Sequence, residues 1–378
     1  MKIVIAPDSF KGSLSAGQVA DCIAEGIHRV SPDIEVLCIP LADGGEGTVE
    51  ALVKATHGSI IPVRATDPLG HEIDSSFGIL GDGKTAVVEM AAASGIQLIP
   101  ESLRNPMLTT TYGTGELILQ ALETGCEQLI LGIGGSATND GGVGMAQALG
   151  GKFLDRNGCD VGFGGGKLAD IYSIDLSKMD SRIGNVWITV ACDVTNPLTG
   201  SNGASAVFGP QKGATPEMVQ ELDAGLKHLA EIIRRDLGLD VENSPGAGAA
   251  GGMGAATLAF LKAELKSGIE IILEATRFNE HISDADLVIT GEGRIDSQTL
   301  QGKTINGVLR AARAFDVPVL AIGGGVENGG YELSGHGDVA VFSIVNKPML
   351  LDEACADAPA LISRISEQAV RLFRFGTR

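Results

Sequence analysis

Positive charge is scarce in this sequence: 28 Lys plus Arg stand against 47 Asp plus Glu, a formal net charge of −19. Acid spread over a whole chain repels phosphate backbones, which excludes nucleic acid as a partner. Cysteine is equally unhelpful to any cross-linked design. Cys22, Cys38, Cys126, Cys159, Cys192 and Cys355 are scattered, with no Cys-x-x-Cys pair. They argue against a disulfide framework or zinc site and for small buried hydrophobes in a reducing cytosol. A membrane-spanning run is also missing. The longest notable uncharged stretch, 244–261, carries Gly246, Gly248, Gly251, Gly252 and Gly254 among alanines. Its transfer energy is poor, and it reads as a glycine-rich loop leading into a helix. The chain opens directly on a strand-like Lys2-Ile-Val-Ile-Ala6, so no secretory leader is expected. The expectation is a soluble, cytoplasmic protein with no membrane partner; a homo-oligomer stays open.

What is present describes a core-forming chain. Hydrophobic residues make up 44% and charged residues 20%, which leaves no room for long disorder. At 378 residues it exceeds the ~250–300 that one core usually serves, so two domains are expected. Glycine numbers 53, about double the usual ~7%, without a collagen-like period. Such an excess suits tight loops where backbone approaches a ligand.

Apolar runs and helical patterns alternate at both ends of the chain. Residues 2–6 and 35–40 read as strands, 15–30 and 46–56 as helices. Residues 286–290, 317–322 and 339–344 again read as strands, with helices over 304–315 and 352–375. In the last helix Leu361, Ile365, Ala369 and Leu372 form the expected apolar stripe. The middle differs. Runs 60–65, 73–80 and 85–90, separated by turn residues, suit antiparallel pairing, and a strongly periodic helix spans 216–239. Hence the expected fold class is α/β with two α/β domains. A flavodoxin-like parallel-sheet domain (1–65 plus 281–378) is split in sequence by an inserted second α/β domain (66–280). Two strands before the insertion and three after it predict the sheet order 2-1-3-4-5.

Open parallel sheets bind ligands beyond the carboxyl ends of their strands, near the switch point. After the first strand comes Asp8-Ser9-Phe-Lys11-Gly12-Ser13, and after the second Asp43-Gly-Gly-Glu46-Gly-Thr48. Residues 291–297, with Arg294 and Asp296, and the triglycine 323–325 follow the next two. In the predicted order the first and third strands are neighbours, bringing Lys11 near Arg294 and Asp296. The inserted domain has its own cradle, Gly132-Ile-Gly134-Gly135-Ser136-Ala-Thr138-Asn139-Asp140-Gly-Gly142, where bare N–H groups and hydroxyls can face phosphate oxygens. Cys192-Asp193 and Gly209-Pro-Gln-Lys212-Gly213 lie further on. Two lookalikes fail. Gly132-x-Gly134-x-x-Ala137 is followed by residues too rich in glycine for a first Rossmann helix. Gly302-Lys303-Thr304 would need its first P-loop glycine at 297, which is Ser297.

The motifs taken together resemble the bacterial class I glycerate kinase family over essentially the whole chain. They are APDSFKGSLS at 6–15, PLADGGEGT at 40–48, GIGGSATNDGG at 132–142, CDVTNPL at 192–198, GPQKGA at 209–214 and TGEGRIDSQT at 290–299. The resemblance implies ATP-dependent phosphorylation of D-glycerate, with 2-phosphoglycerate as the favoured product, in an active site between two α/β domains. Residue roles rest on local chemistry. Phosphoryl transfer needs cations, Mg²⁺ on carboxylates and a group to take the hydroxyl proton. Asp296, Lys11 and Asp193 are assigned to catalysis, and Asp8, Ser9, Arg294 and Asp43 to substrate. Gly134, Gly135, Ser136, Thr138 and Asn139 are assigned to ATP, and Asp193, Asp296 and Glu46 to Mg²⁺. The alternatives are the same kinase yielding 3-phosphoglycerate, an NAD(P)-dependent dehydrogenase of a small hydroxy acid, and a non-catalytic small-acid sensor.

Overall fold

The structure is a computed structural model that describes residues 1–42, 44–45, 47–297, 299 and 304–376. Two strands open the chain, β1 (Lys2–Ile5) and β2 (Glu35–Cys38). There follow β3 (Ser59–Thr66), β4 (Glu72–Ile79), β5 (Thr85–Glu89), β6 (Gln128–Gly132), β7 (Lys152–Leu154), β8 (Ser173–Asp175), β9 (Trp187–Ala191) and β10 (Glu264–Lys266). The last three are β11 (Leu287–Ile295), β12 (Val319–Val326) and β13 (Val339–Ser343). The chain divides into two compact units: Met1–Asp43, Glu50–His57 and Ile269–Arg378 form the first, Gly44–Val49 and Gly58–Gly268 the second.

In the first unit every strand pair is parallel and the order is β13-β12-β11-β1-β2, the 2-1-3-4-5 arrangement expected for a flavodoxin-like sheet. Ile3, Ile5, Leu287, Ile289, Leu320 and Ile322 face a core shared with Val19, Ile23 and Ile27 of helix Ala16–Val30. That helix starts on a capping box in which Ser15 and Gln18 satisfy each other's backbone N–H groups. The C-terminal helix Leu351–Gly376 packs along it through most of the expected stripe: Leu361 and Ala369 are buried and Ile365 is half-buried against the core. Leu372 is 61% exposed, while Ala358, Ile362, Ser366 and Val370 are buried. Gly26 lets the two helices approach closely: a Cβ there would stand 2.2 Å from the Ser363 carbonyl and 3.0 Å from the Ser366 Cβ.

The glycine-rich tail of β11 is also a correction to the sequence pattern. Residues 291–295 continue the strand instead of forming a loop, because β12 extends alongside and pairs Glu292 with Gly323 and Arg294 with Gly325. Alternation then puts Glu292 and Arg294 on one face and Ile295, which is buried, on the other.

The second unit holds a six-stranded sheet ordered β10-β9-β6-β5-β4-β3. β10, β9, β6 and β5 run parallel, whereas β4 and β3 complete an antiparallel meander. β7 and β8 form a separate hairpin. Helix Pro216–Leu237 begins with Thr215 as N-cap and Pro216 at its first position, and ends on Gly238 in the left-handed region. Leu222, Leu226, Leu229 and Ile233 bury its apolar face. The register places Glu89, Gly132, Ala191 and Lys266 in one row at the carboxyl ends of the four parallel strands. No helix among the described residues is long and apolar enough to cross a membrane.

Candidate functional site

In the first unit, the segments following β1 and forming the end of β11 meet at the switch point. Asp8 N–H donates to the Gly291 carbonyl at 2.8 Å, and Lys11 N lies 3.4 Å from where a Cβ on Gly293 would stand. Lys11 is exposed and Ser9 half-buried. Asp8 is buried and works as a brace: Oδ2 accepts from Thr304 Oγ1 (2.7 Å) at the start of helix Thr304–Arg313, and Oδ1 from Ser9 N (2.6 Å). Arg294 is held between two carboxylates, pairing with Glu327 and with Asp296, whose Oδ2 is 3.4 Å from its Nε. The Asp296 side chain keeps 17% of its exposure. Its backbone N–H donates to Thr299 Oγ1, and its carbonyl accepts from Thr299 N. Lys11, Ser9, Asp8, Arg294 and Asp296 thus share one sheet edge. Asp43 lies outside the described residues.

The second unit builds its edge differently. Segment Gly44–Val49 lies over the row Glu89–Gly132–Ala191. A Cβ on Gly44 would fall 2.4 Å from Ala191 Cβ, and Glu89 Oε1 accepts from Val49 N at 2.6 Å. Glu46, assigned to metal, lies outside the described residues. Beyond β9, Asp193 is exposed, and its Oδ1 accepts from Ser267 Oγ and Gly268 N, both at 2.9 Å.

The loop after β6 has an outer and an inner part. Gly135 is exposed and Gly134 half-buried. Neither N–H has an acceptor among the described residues, although Gly135 O accepts from Ile96 N. Ser136 retains 7% exposure, whereas Thr138 and Asn139 are buried. From there the chain is tied down residue by residue. Ala137 N donates to Ser94 O, and Thr109 Oγ1 donates to Ala137 O. Asn139 Nδ2 donates to Ser205 Oγ, and Gly141 N to Gly251 O. Asp140 is buried and accepts from Thr111 N and Oγ1 (2.8 Å each), Gly142 N (3.1 Å) and Gly144 N (3.3 Å). Burial pushes its carboxyl up, against the pull of those donors. No helix forms until Val143–Ala148, six residues long, so this is not the helix-opening turn of a dinucleotide fold.

Lys212 is the residue that sequence reasoning passed over. It is 2% exposed, and Nζ donates to Ser136 Oγ (2.7 Å) and to the Thr138 carbonyl (2.6 Å). Desolvation pushes the amine down to about 7, with the nearby Asp140 charge working the other way. The local signal was Gly209-Pro-Gln-Lys212-Gly213, one of four glycine-rich stretches that suggest a polyanionic ligand but do not single out the lysine.

The outer loop suits a phosphate: two adjacent N–H groups with no acceptor among the described residues, glycines that keep side chains away, and a hydroxyl alongside. For a magnesium ion the hard oxygen donor at hand in this unit is Asp193. Among the described residues no group of three or more acidic, imidazole or thiol side chains is arranged to hold a metal. Mg²⁺ usually takes one or two carboxylates plus substrate phosphates.

Comparison with known proteins agrees along the whole length. The model of the glycerate kinase family matches residues 3–374. Glycerate 2-kinase of Escherichia coli K12 is 54% identical over 100% of this chain and 99% of its own. Glycerate kinase of Bacillus subtilis 168 is 54% identical, covering 96% of this chain and 95% of its own. The crystal structure of a candidate glycerate kinase 2 from Salmonella typhimurium LT2 superposes with a TM-score of 0.92 at 50% identity, covering 100% and 99% of the two chains. With the family model and such relatives spanning nearly every residue, the chain belongs to the glycerate kinase family.

Proposed function

We propose that this enzyme transfers the γ-phosphoryl group of ATP to the 2-hydroxyl of D-glycerate, releasing ADP and 2-phosphoglycerate. The observation that carries the reading is the pair of N–H groups at Gly134 and Gly135, with no acceptor among the described residues, beside Ser136 at the carboxyl edge of a parallel sheet in a chain of this family. Those groups would donate to the nucleotide phosphate oxygens, while the buried Thr138 and Asn139 shape the loop from behind. The choice of the 2-hydroxyl is supported by the full-length likeness to a protein named glycerate 2-kinase.

Lys11 and Arg294 would offset the charge of the glycerate carboxylate and the transferring phosphoryl group. Ser9, Asp8 and Asp43 complete the proposed substrate side. Asp296 would accept the hydroxyl proton as the glycerate oxygen attacks the γ-phosphorus and the bridging oxygen leaves with ADP. The proposed Mg²⁺ carboxylates are Asp193 and Glu46 in the second unit and, in place of the proton-accepting role, Asp296 in the first. When bound, the ion supplies charge neutralisation on the phosphate oxygens. Asp193 suits that task because Ser267 and Gly268 fix its carboxylate in solvent.

Phosphorus NMR of the product tests the assignment, alongside ADP release in a coupled assay. A 2-phosphoglycerate signal dependent on ATP, Mg²⁺ and D-glycerate is expected. A 3-phosphoglycerate signal would overturn the regiochemistry alone; no ADP release would overturn the kinase.

A further inference from the structure

A glycine turn receives phosphate well only if its N–H groups are held in one orientation, and here the holding device lies beneath the loop. Lys212 ends the short turn Pro210–Lys212 and reaches Ser136 and Thr138, residues 76 and 74 positions away in sequence. The two partners bracket Ala137, whose N–H and carbonyl are engaged by Ser94 and Thr109. The exit of the loop is therefore clamped from two sides. Immediately upstream, the N–H groups of Gly134 and Gly135 have no acceptor among the described residues. Two further buried oxygens near the clamp, Thr138 Oγ1 and Asn139 Oδ1, have no donor among the described residues. An aliphatic side chain at 212 could fill the space but would leave the Thr138 carbonyl and the Ser136 hydroxyl without their partner.

We propose that Lys212 is a positioning residue for the anion-binding loop. Its ammonium fixes Ser136 and Thr138 and, through the Ser136 hydroxyl, lends its charge to a phosphate docked on residues 134–136 without touching it. This rests on the assignment of that loop to the nucleotide phosphates. The charged group facing Lys212 is Asp140, whose carboxylate is already taken up by Thr111, Gly142 and Gly144. Arg104, whose carbonyl packs against Gly213, is the other charged residue at this turn, and its buried Nε has no acceptor among the described residues. Because burial brings the Lys212 amine down to about 7, a docked anion must draw a proton onto it. Linkage then requires anion binding to take up a proton and to weaken as pH rises above about 7.

The test uses the full chain as wild type, Lys212→Met and Lys212→Arg, with circular dichroism to verify folding. Labelled sulfate in equilibrium dialysis is the probe, because its charge does not change between pH 7 and 9; KM for Mg·ATP and for glycerate is measured in parallel. Wild type should bind sulfate at least ten-fold more weakly at pH 9 than at pH 7. Lys212→Met should be more than ten-fold weaker at pH 7 and flat with pH. Lys212→Arg, permanently charged, should keep its binding at pH 9. KM for Mg·ATP should follow sulfate, with KM for glycerate within two-fold of wild type. Wild-type binding that is flat from pH 7 to 9, or a folded Lys212→Met that binds as wild type does, overturns the proposal. If neither variant folds, the wild-type pH profile decides. Turnover separates the two layers: absent glycerate phosphorylation with intact, Lys212-dependent sulfate binding sinks the kinase reading and leaves the positioning role standing.

Discussion

Raising the pH from 7 to 8.5 should stabilise the second unit, and the size of the gain follows from Lys212. The free amine titrates near 10.5 and the buried one near 7. Across this window the unfolded chain keeps its proton while the folded chain gives it up. The unfolded state therefore binds more protons, and stability rises with pH. At about 1.36 kcal/mol per decade, and with half the folded population already neutral at pH 7, the increase is roughly 1–2 kcal/mol. The window ends at 8.5 because burial raises Cys126 and Cys192, which reverses the sign once unfolded thiols begin to ionise. Trp187, the single tryptophan, lies on β9 of this unit but is 64% exposed, so the urea transition is followed by far-ultraviolet circular dichroism with Trp187 fluorescence alongside it. With a slope of about 2–3 kcal/mol per molar urea, the midpoint should move up by roughly half a molar or more. Lys212→Met should lose the rise. A wild-type midpoint that is level or falling, or an equal rise in the variant, would refute the picture of a desolvated lysine.

Asp296→Asn should lower glycerate-dependent ADP production by about 10²–10⁴ while shifting the unfolding midpoint little, since the amide preserves shape; near-normal turnover would remove Asp296 from catalysis. Lys11→Met should reduce kcat/KM for glycerate more than ten-fold with an unchanged melting temperature, and normal kinetics would return Lys11 to the solvated surface. Gly251→Ala should destabilise the second unit by at least ~2 kcal/mol in urea titration, because its φ is +71° and the new Cβ would lie 2.0 Å from the Thr138 carbonyl; a neutral result would mean that the loop beneath Thr138 can shift.

The order of strands around Lys2–Ile5, the split of the parallel sheet and the family were all readable in the sequence. Each depends on local hydrophobic period, on chain order or on motifs that are contiguous. Lys11, Arg294 and Asp296 could be placed on one edge for the same reason: parallel strands export their following residues to the same side. Three things needed the tertiary structure. Residues 291–295 read as loop from their glycines, and become strand only because β12 supplies partners. Gly44–Val49 follows a strand of the first unit in sequence, yet packs in the second, where a missing side chain at Gly44 lets backbone rest on Ala191. The burial of Lys212 is the clearest case. Nothing in Gly-Pro-Gln-Lys-Gly marks a lysine for the interior, because its burial is decided by Ser136 and Thr138 more than seventy residues away, whose oxygens replace the water it loses.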